Sequence, residues 1–346
     1  MIAYFATQGT GSGDEGRIRA LLELCAAEPL PFDRSNKPRS ALRLLAELAR
    51  RRPELVVMEG TGVAGGAAVL AARTMLGVRY VVSSGDAVAP YIGASRPILR
   101  PLAHLYERLL CRRSAGFIGW SPYLTGRAVT LGAPRAMTAA NWAFATPGQG
   151  RDMVRRELGI PEDAVVFGIV GSLDWNARVG YCYGAELVRA LRSTSREDLR
   201  ALVVGDGSGR ARLSELADPR VILPGRVPRE RVPDYLAAMD VGSLPQSVDG
   251  VGAFRYTTKI SEYLSSGLPV VTGQIPLAYD MDDGWLWRLP GDAPWDERYL
   301  AALAHLMGSV SREELSRRRE LVPRDLPAFD LARQQRQVAG FLQDLL

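Results

Sequence analysis

The sequence predicts an α/β fold of two domains, each built on a parallel β-sheet with helices on its faces. Short apolar runs that end in Gly, Asp or Ser alternate with helical patterns through both halves of the chain, and this alternation is typical of βαβ units. The 346 residues suffice for two domains with separate cores. Residues 143–150 are rich in Pro and Gly and read as a linker. We therefore expect domains at 1–146 and 147–325.

The elements of the first domain follow from apolar runs and the residues that flank them. Strands are predicted at 2–6, 55–58, 78–82 and 115–119, and helices at 16–27, 38–51, 65–76 and 97–113. The last of these helices is amphipathic and rich in Arg, a pattern that lies on anionic lipid in some proteins. More often such a helix packs its apolar side on a sheet. We expect that packing here, with peripheral membrane contact at most.

The second domain repeats the alternation. Its strands are predicted at 165–170, 201–204, 221–223, 241–244, 268–271 and 286–289, and a final helix at 331–346 follows two prolines. Each strand is short, as buried parallel strands are.

A glycine-rich turn follows the first strand. Gly11, Gly13 and Gly16 form the pattern Gly-x-Gly-x-x-Gly, and Asp33 lies further on. One interpretation is a dinucleotide site in which Asp33 binds a ribose, as in a dinucleotide-dependent oxidoreductase. The other is a tight turn between strand and helix.

The stretch 249–271 divides into a loop, a short helix and a buried strand. Thr257 or Thr258 is expected to cap the helix through its side chain, and Gly267 to end it in a left-handed conformation. Lys259 and Glu262 are three residues apart and share a face. An acid and a base beside the amides of a helix N-terminus suit a nucleotide diphosphate and its ribose.

Residues 259–271 read Lys-x-x-Glu-Tyr-Leu-x-x-Gly-Leu-Pro-Val-Val, and this motif resembles the donor site of the GT-B glycosyltransferases of family 4. Further matches follow in order through residues 165–290, and fainter ones through the first domain. The resemblance implies two Rossmann-like domains that face each other across a cleft, with the C-terminal helix, 326–346, crossing back to the first. It also implies transfer of a sugar from a nucleotide-diphosphate sugar to a hydroxyl, with retention.

The resemblance also implies roles for individual residues. Glu262 would bind the ribose, and the loop before the helix would lie along the sugar. The family has a second Glu at the place of Phe254, so Asp249 is the candidate to replace it. Ser172 stands where the family has a diphosphate-binding Arg, so Lys259 and Arg178 would have to stabilise the diphosphate. The positions expected to contact substrate are Gly11, Gly13, Gly171, Ser172, Gly205, Gly250, Val251, Gly252, Thr257, Thr258 and Glu262.

Asp86 follows a strand of the first domain, at the edge where ligands of open α/β sheets bind. Family members often have a histidine in this region that contacts the donor sugar. Asp86 is therefore a candidate to bind a sugar hydroxyl or to assist the acceptor. A turn or helix-capping role is the alternative.

Composition narrows the function further. The net charge of +5 comes with Arg residues that are spread along the chain. It suits an anionic substrate or an acidic membrane surface and requires no nucleic acid. Cys25, Cys111 and Cys182 lack metal-type spacing and fit a reducing compartment. Without a signal-peptide pattern or membrane-length apolar run, a cytoplasmic location is expected. The stretch 249–271 contains no Asp-x-Asp, so neither a metal nor a cofactor is predicted.

The predicted protein is thus a glycosyltransferase. Its alternatives are a nucleotide-sugar epimerase or phosphorylase, which would need no added acceptor, the oxidoreductase mentioned above, and a binding protein that has lost catalysis. A saccharide, a lipid-linked saccharide and a natural-product scaffold all remain open as acceptors.

Overall fold

The computed structural model describes residues 1–142, 148–216 and 218–346. They form two compact units. The first contains Met1–Trp142, Phe254–Tyr256 and Pro327–Leu346, and the second contains the rest of the described chain. Most of the predicted linker, residues 143–147, lies outside the described residues, and the predicted domain boundaries stay predictions.

The first unit is built on a six-stranded parallel sheet of order β2-β1-β3-β4-β5-β6. Its strands are β1 (Ile2–Ala6), β2 (Glu28–Pro29), β3 (Leu55–Glu59), β4 (Arg79–Ser84), β5 (Gly116–Gly119) and β6 (Ala136–Thr138). Its first six helices are α1 (Gly13–Leu21), α2 (Lys37–Arg51), α3 (Val63–Leu76), α4 (Val88–Ser95), α5 (Arg100–Arg113) and α6 (Pro122–Thr130). The predicted strands and helices are confirmed to within a few residues at their ends.

The second unit has a parallel sheet of order β12-β11-β10-β7-β8-β9. The strands are β7 (Val165–Val170), β8 (Leu199–Val204), β9 (Val221–Gly225), β10 (Val241–Leu244), β11 (Val270–Thr272) and β12 (Leu286–Arg288). The helices are α7 (Arg151–Glu157), α8 (Ala185–Arg192), α9 (Arg210–Glu215), α10 (Val232–Ala237), α11 (Thr258–Ser265), α12 (Pro276–Asp280), α13 (Glu297–Ser309) and α14 (Arg312–Leu321). The chain order reverses between β7 and β10, and ligands of such sheets bind at the carboxyl ends of the strands there.

Both sheets are apolar on both faces, as parallel sheets usually are. In β1, Ala3 and Phe5 enter one core cluster while Ile2 and Tyr4 enter another, because successive side chains of a strand point to opposite faces. The last helix, α15 (Leu331–Gln343), covers the second of these faces with side chains that include Val338. The C-terminal segment therefore packs within the first unit.

Two helix starts differ from the prediction. Helix α1 begins at Gly13 rather than at residue 16, because Ser12 caps it by accepting a hydrogen bond from the Glu15 amide (3.2 Å). It ends at Leu21, and a short 3₁₀ turn at Glu23–Cys25 completes the predicted span. The segment predicted as one helix at 97–113 is likewise divided into a 3₁₀ turn, Pro97–Leu99, and α5.

Helix α5 packs on the core with its Arg residues exposed, as expected, but only part of its apolar residues face inward. Its inward face presents Ala103, Leu110 and Cys111, and the buried Glu107 of that face is held by two hydrogen bonds from Arg127. The remaining large apolar side chains of the segment point away from the core: Ile98, Leu102, Leu105 and Leu109 are 88%, 64%, 61% and 43% exposed. Apolar residues occur on both sides of this helix, so helical spacing alone did not identify the inward side.

No helix among the described residues has both the length and the apolar character needed to cross a membrane.

Candidate functional site

The start of α11 lies just beyond the carboxyl ends of the central strands of the second unit. Thr257 is the N-cap residue, yet its side chain caps no amide. Its Oγ1 is buried and has no hydrogen-bond partner among the described residues, and Thr258 is exposed. The predicted side-chain cap is therefore wrong, because Thr257 Oγ1 accepts no hydrogen bond from a first-turn amide. The predicted end of the helix is confirmed, since Gly267 has φ +60°.

Lys259 occupies the first turn of α11 and is only 8% exposed. Its Nζ lies 4.1 Å from the centre of the Tyr183 ring. A Cβ built on Gly171, the residue after β7, would lie 3.1 Å from both Cε and Nζ of Lys259. Across the described chain no carboxylate forms an ion pair with this ammonium. The structure thus brings two predicted site residues together and places a buried positive charge at the end of β7.

Glu262 follows one turn later on the same helix and is half-buried. Burial raises the pKa of its carboxyl above the ordinary value, and the positive charges of Lys259 and Arg229 oppose that rise. Because the raised pKa reflects lost hydration, a hydroxyl group that donates a hydrogen bond to this carboxylate would stabilise its ionised form. Its predicted role as ribose ligand is not tested by the geometry and stays a prediction.

A close backbone contact joins the turns after β7 and β8. Gly171 donates its amide to the Val204 carbonyl (2.9 Å). Gly205 has φ +143°, and a Cβ added there would lie 1.8 Å from the Gly171 carbonyl oxygen. Only glycine fits at position 205, because both the conformation and the space exclude a side chain.

Ser172 does not supply a charge but orders its own loop. Its Oγ donates to Asp174 Oδ2 (2.7 Å), and this bond lowers the pKa of the Asp174 carboxyl. Arg178 lies further along the same loop, where its amide donates to Asn176 Oδ1 (3.1 Å) and its side chain is exposed. Its predicted role in stabilising the diphosphate stays a prediction.

The loop before α11 is organised by Asp249. Its Oδ1 accepts hydrogen bonds from the amides of Val251 (2.9 Å) and Gly252 (2.8 Å). Gly252 is packed so tightly that a Cβ would lie 2.1 Å from the Ser247 carbonyl oxygen, whereas Gly250 is exposed. In this conformation the two amides are therefore engaged by Asp249, which shapes the loop.

Two residues near this loop were missed by the sequence analysis. Gln246 is 6% exposed, and neither atom of its side-chain amide has a hydrogen-bond partner within the described part of the chain. Its place two residues after β10, at the carboxyl end of a central strand, is a signal that could have identified it. Tyr183 could not have been found in this way, because only folding brings its ring to Lys259.

The first unit has its own polar cluster at the carboxyl end of its sheet. Asp86 Oδ1 accepts a hydrogen bond from Arg255 Nε at 2.5 Å, in an ion pair whose side chains remain partly exposed. Arg255 belongs to the short segment Phe254–Tyr256 that groups with the first unit. The same segment is anchored by Ser121, which donates to the Phe254 carbonyl. Phe254 thus stands in a structural role where the family has an acid.

The glycine-rich turn after β1 mainly connects that strand to helix α1. Gly11 has φ +81° and donates its amide to Glu15 Oε2 (2.6 Å), whereas Gly13 already lies in α1. Asp33 closes a local turn by accepting from the amide (2.8 Å) and hydroxyl (2.7 Å) of Ser35. This geometry favours the tight-turn interpretation over a dinucleotide site, while the predicted substrate contacts of both glycines remain untested.

A buried ion pair lies beneath this turn. Arg17 Nη1 donates to Glu59 Oε2 (2.9 Å), and both side chains are almost fully buried. Asn141 and Ser83 also accept from Arg17, while Trp120 donates to Glu59 Oε1 (3.0 Å). Burial lowers the pKa of Arg17 and raises that of Glu59, against their mutual attraction. The pair joins α1, β3 and β4 at the edge that carries Asp86.

Within the described residues, no group of three or more His, Cys, Asp or Glu side chains is placed to hold a metal ion.

Both halves of the chain match glycosyltransferase families. Residues 164–307 match the family described as Glycosyl transferases group 1, and residues 5–142 match the Glycosyl transferase 4-like domain. A putative teichuronic acid biosynthesis glycosyltransferase, TuaH of Bacillus subtilis (strain 168), is 27% identical over 107 residues. That match covers 31% of this chain and 26% of TuaH, so it spans about a quarter of the relative.

Solved structures show the same fold over the whole chain. Anabaena HepE in complex with UDP has a TM-score of 0.72 at 17% identity, with 99% of each chain covered. Sucrose-phosphate synthase from Thermosynechococcus elongatus has a TM-score of 0.69 at 14% identity, with 99% of this chain and 98% of the other covered.

The fold and the two family matches define the class that the chain resembles: it has the GT-B fold, and both of its halves match glycosyltransferase families. Within that class, each half of the chain matches one glycosyltransferase family, and the chain resembles family 4. The predicted fold class, family resemblance and enzyme class are confirmed.

Proposed function

We propose that the chain moves a sugar from a nucleotide-diphosphate sugar to an acceptor hydroxyl, with retention of configuration and without a metal ion or other cofactor. The observation that carries this proposal is the buried ammonium of Lys259 against Gly171, one helical turn before Glu262. The HepE structures hold UDP and UDP-glucose, which supports a donor of this class for a chain of the same fold.

Charge stabilisation at α11 is the central step. As the bond between the sugar and the diphosphate breaks, negative charge grows on the departing phosphate oxygen. Lys259 and the first-turn amides of α11, which the Thr257 side chain does not cap, would stabilise that charge. A buried ammonium is already desolvated, so little reorganisation is needed when the charge develops.

The other residues position the substrates. Glu262 would accept hydrogen bonds from the ribose hydroxyls, and the loop ordered by Asp249 would lie along the sugar. Front-face attack, as the family resemblance implies, lets the departing oxygen accept the proton of the attacking hydroxyl. Asp86, held by Arg255, stays a candidate contact for a sugar or acceptor hydroxyl. A cytoplasmic location also stays a prediction.

The first experiment measures nucleotide binding. Calorimetric titration of uridine, guanosine, adenosine and thymidine diphosphates, with and without a chelator, should identify one base that binds equally well in both conditions. Glu262→Gln should weaken that nucleotide by about 1 to 3 kcal/mol, as expected for a lost charge-assisted hydrogen bond. Glu320→Gln, at an exposed position of α14, is the matched control.

Two outcomes would contradict the proposal. Unchanged affinity in folded Glu262→Gln would reject the ribose role, and a requirement of turnover for magnesium or manganese would reject the metal-independent mechanism. Turnover without any added acceptor would instead favour the epimerase or phosphorylase alternative. Proton NMR of the product's anomeric centre tests retention directly.

A further inference from the structure

Helix α5 carries an exposed apolar stripe. Leu102, Leu105 and Leu109 fall within ~60° of one another around the helix, at about 100° per residue, and Ile98 in the preceding 3₁₀ turn extends the same line. All four side chains are exposed. We call this stripe and the Arg residues beside it the α5 face. Isolated apolar residues at a surface need no explanation, but four in a row on one helix side indicate a binding surface.

The charges around the stripe have one sign. Residues 88–113 contain five Arg and one acid, Glu107, and Glu107 is buried against Arg127. Arg108 and Arg112 lie on one side of the stripe and Arg113 on the other, and all three side chains are exposed. None of the five Arg forms an ion pair with a carboxylate of the described chain. The α5 face is therefore apolar along its centre and basic at its margins.

We propose that the α5 face binds the surface of an anionic lipid membrane, with α5 lying parallel to it. The Leu side chains would enter the boundary between headgroups and acyl chains while the Arg guanidinium groups contact lipid phosphates, the arrangement typical of interfacial amphipathic helices. A second copy of this chain fits less well, because two α5 faces would bring like charges together. The proposal concerns binding alone and does not depend on the donor or the acceptor.

The experiment is sedimentation of the full chain with vesicles of phosphatidylglycerol and phosphatidylcholine in equal proportion. The wild type should sediment with them and not with phosphatidylcholine alone, and added salt should weaken the binding. Arg108→Gln/Arg112→Gln should lower the partition coefficient by about 25-fold, at about fivefold per charge. Leu102→Gln/Leu105→Gln/Leu109→Gln should lower it by about tenfold or more.

Helix α2 offers a matched control, because Leu42 is also exposed between the exposed Arg39 and Arg43. Arg39→Gln/Arg43→Gln and Leu42→Gln should leave vesicle binding unchanged. Thermal melts establish that each variant is folded, which is expected because every changed side chain is exposed. Equal loss in the α2 variants would show general charge attraction and overturn the proposal.

Two further results would overturn it as well. One is failure of the wild type to sediment with the phosphatidylglycerol vesicles at low salt. The other is concentration-dependent association of the free protein that the Leu variant abolishes, since this would identify the α5 face as a protein–protein surface.

Discussion

Lys259 is expected to lower the stability of the ligand-free protein but to support nucleotide binding and turnover. The substitution Lys259→Met separates these two effects. The methionine keeps much of the side-chain volume and the contact with Tyr183 but removes the ammonium. Burial of a charge with no ion pair costs several kcal/mol. The cation–π contact with the Tyr183 ring offsets about 2 kcal/mol of that cost. Attraction to Glu262, whose pKa Lys259 lowers, offsets more of it. We expect Lys259→Met to stabilise the ligand-free protein by about 1 kcal/mol, which raises Tm by about 3 °C for a unit of this size.

The same substitution should weaken binding of the nucleoside diphosphate. A charged hydrogen bond to a phosphate contributes about 1.5 to 3 kcal/mol, so Kd should rise by about 10-fold to 150-fold. Turnover at saturating donor should fall by on the order of a hundredfold, as for other preorganised charges that stabilise a transition state. Lys259→Arg should not restore it, because Lys259 already lies 3.1 Å from the Cβ position of Gly171 and a guanidinium is larger.

The assays are thermal melts without ligand, calorimetric titration of the diphosphate and steady-state turnover. The chain has only two lysines, and Lys37, exposed at the start of α2, supplies the control variant Lys37→Met. A lower Tm together with unchanged affinity and rate would refute the reasoning, since Lys259 would then be a structural residue.

Three other predictions concern Glu262, the two glycines Gly205 and Gly340, and Arg178. Burial raises the folded-state pKa of Glu262 above the ordinary value of 4.5. Wild-type stability should therefore decline as pH rises from the ordinary pKa through the raised one, and pH-dependent melts should show a smaller decline for Glu262→Gln. Gly205→Ala should cost about 2 to 4 kcal/mol in urea unfolding because its Cβ meets the Gly171 carbonyl, whereas Gly340→Ala, with open space inside α15, should stabilise by about 1 kcal/mol. Arg178→Ala should lower kcat by on the order of a hundredfold at saturating donor; a near-normal kcat would exclude Arg178 from charge stabilisation.

The alternating elements and the motif at residues 259–271 were readable from the sequence because both depend on local order. A buried parallel strand must be a short apolar run, and its helix must follow within a short turn. β1 and β10 were predicted at the bounds they have, and α11 was predicted with its left-handed Gly267. Lys259 and Glu262 were recognised as neighbours because helical spacing alone places them on one face.

Contacts between distant segments were decided only by folding. Lys259 meets Gly171 and Tyr183, residues separated from it by well over seventy positions, and no periodicity relates them. Phe254–Tyr256 joins the first unit although its neighbours on both sides belong to the second, which the donor motif did not indicate. Thr257 is likewise the N-cap residue of α11, but its side chain makes no hydrogen bond with the helix amides, because the direction of a side chain depends on packing.

The orientation of α5 shows most clearly what the sequence determined and what only the tertiary structure decided. The sequence by itself determined that this segment is helical, basic and apolar on more than one side. Only the tertiary structure decided which side faces the core, because Arg127 of α6 donates two hydrogen bonds to the buried Glu107, and Ala103 and Leu110 are buried on the same side. Once those residues are inside, the helical repeat of 3.6 residues forces Leu102, Leu105 and Leu109 to the outside.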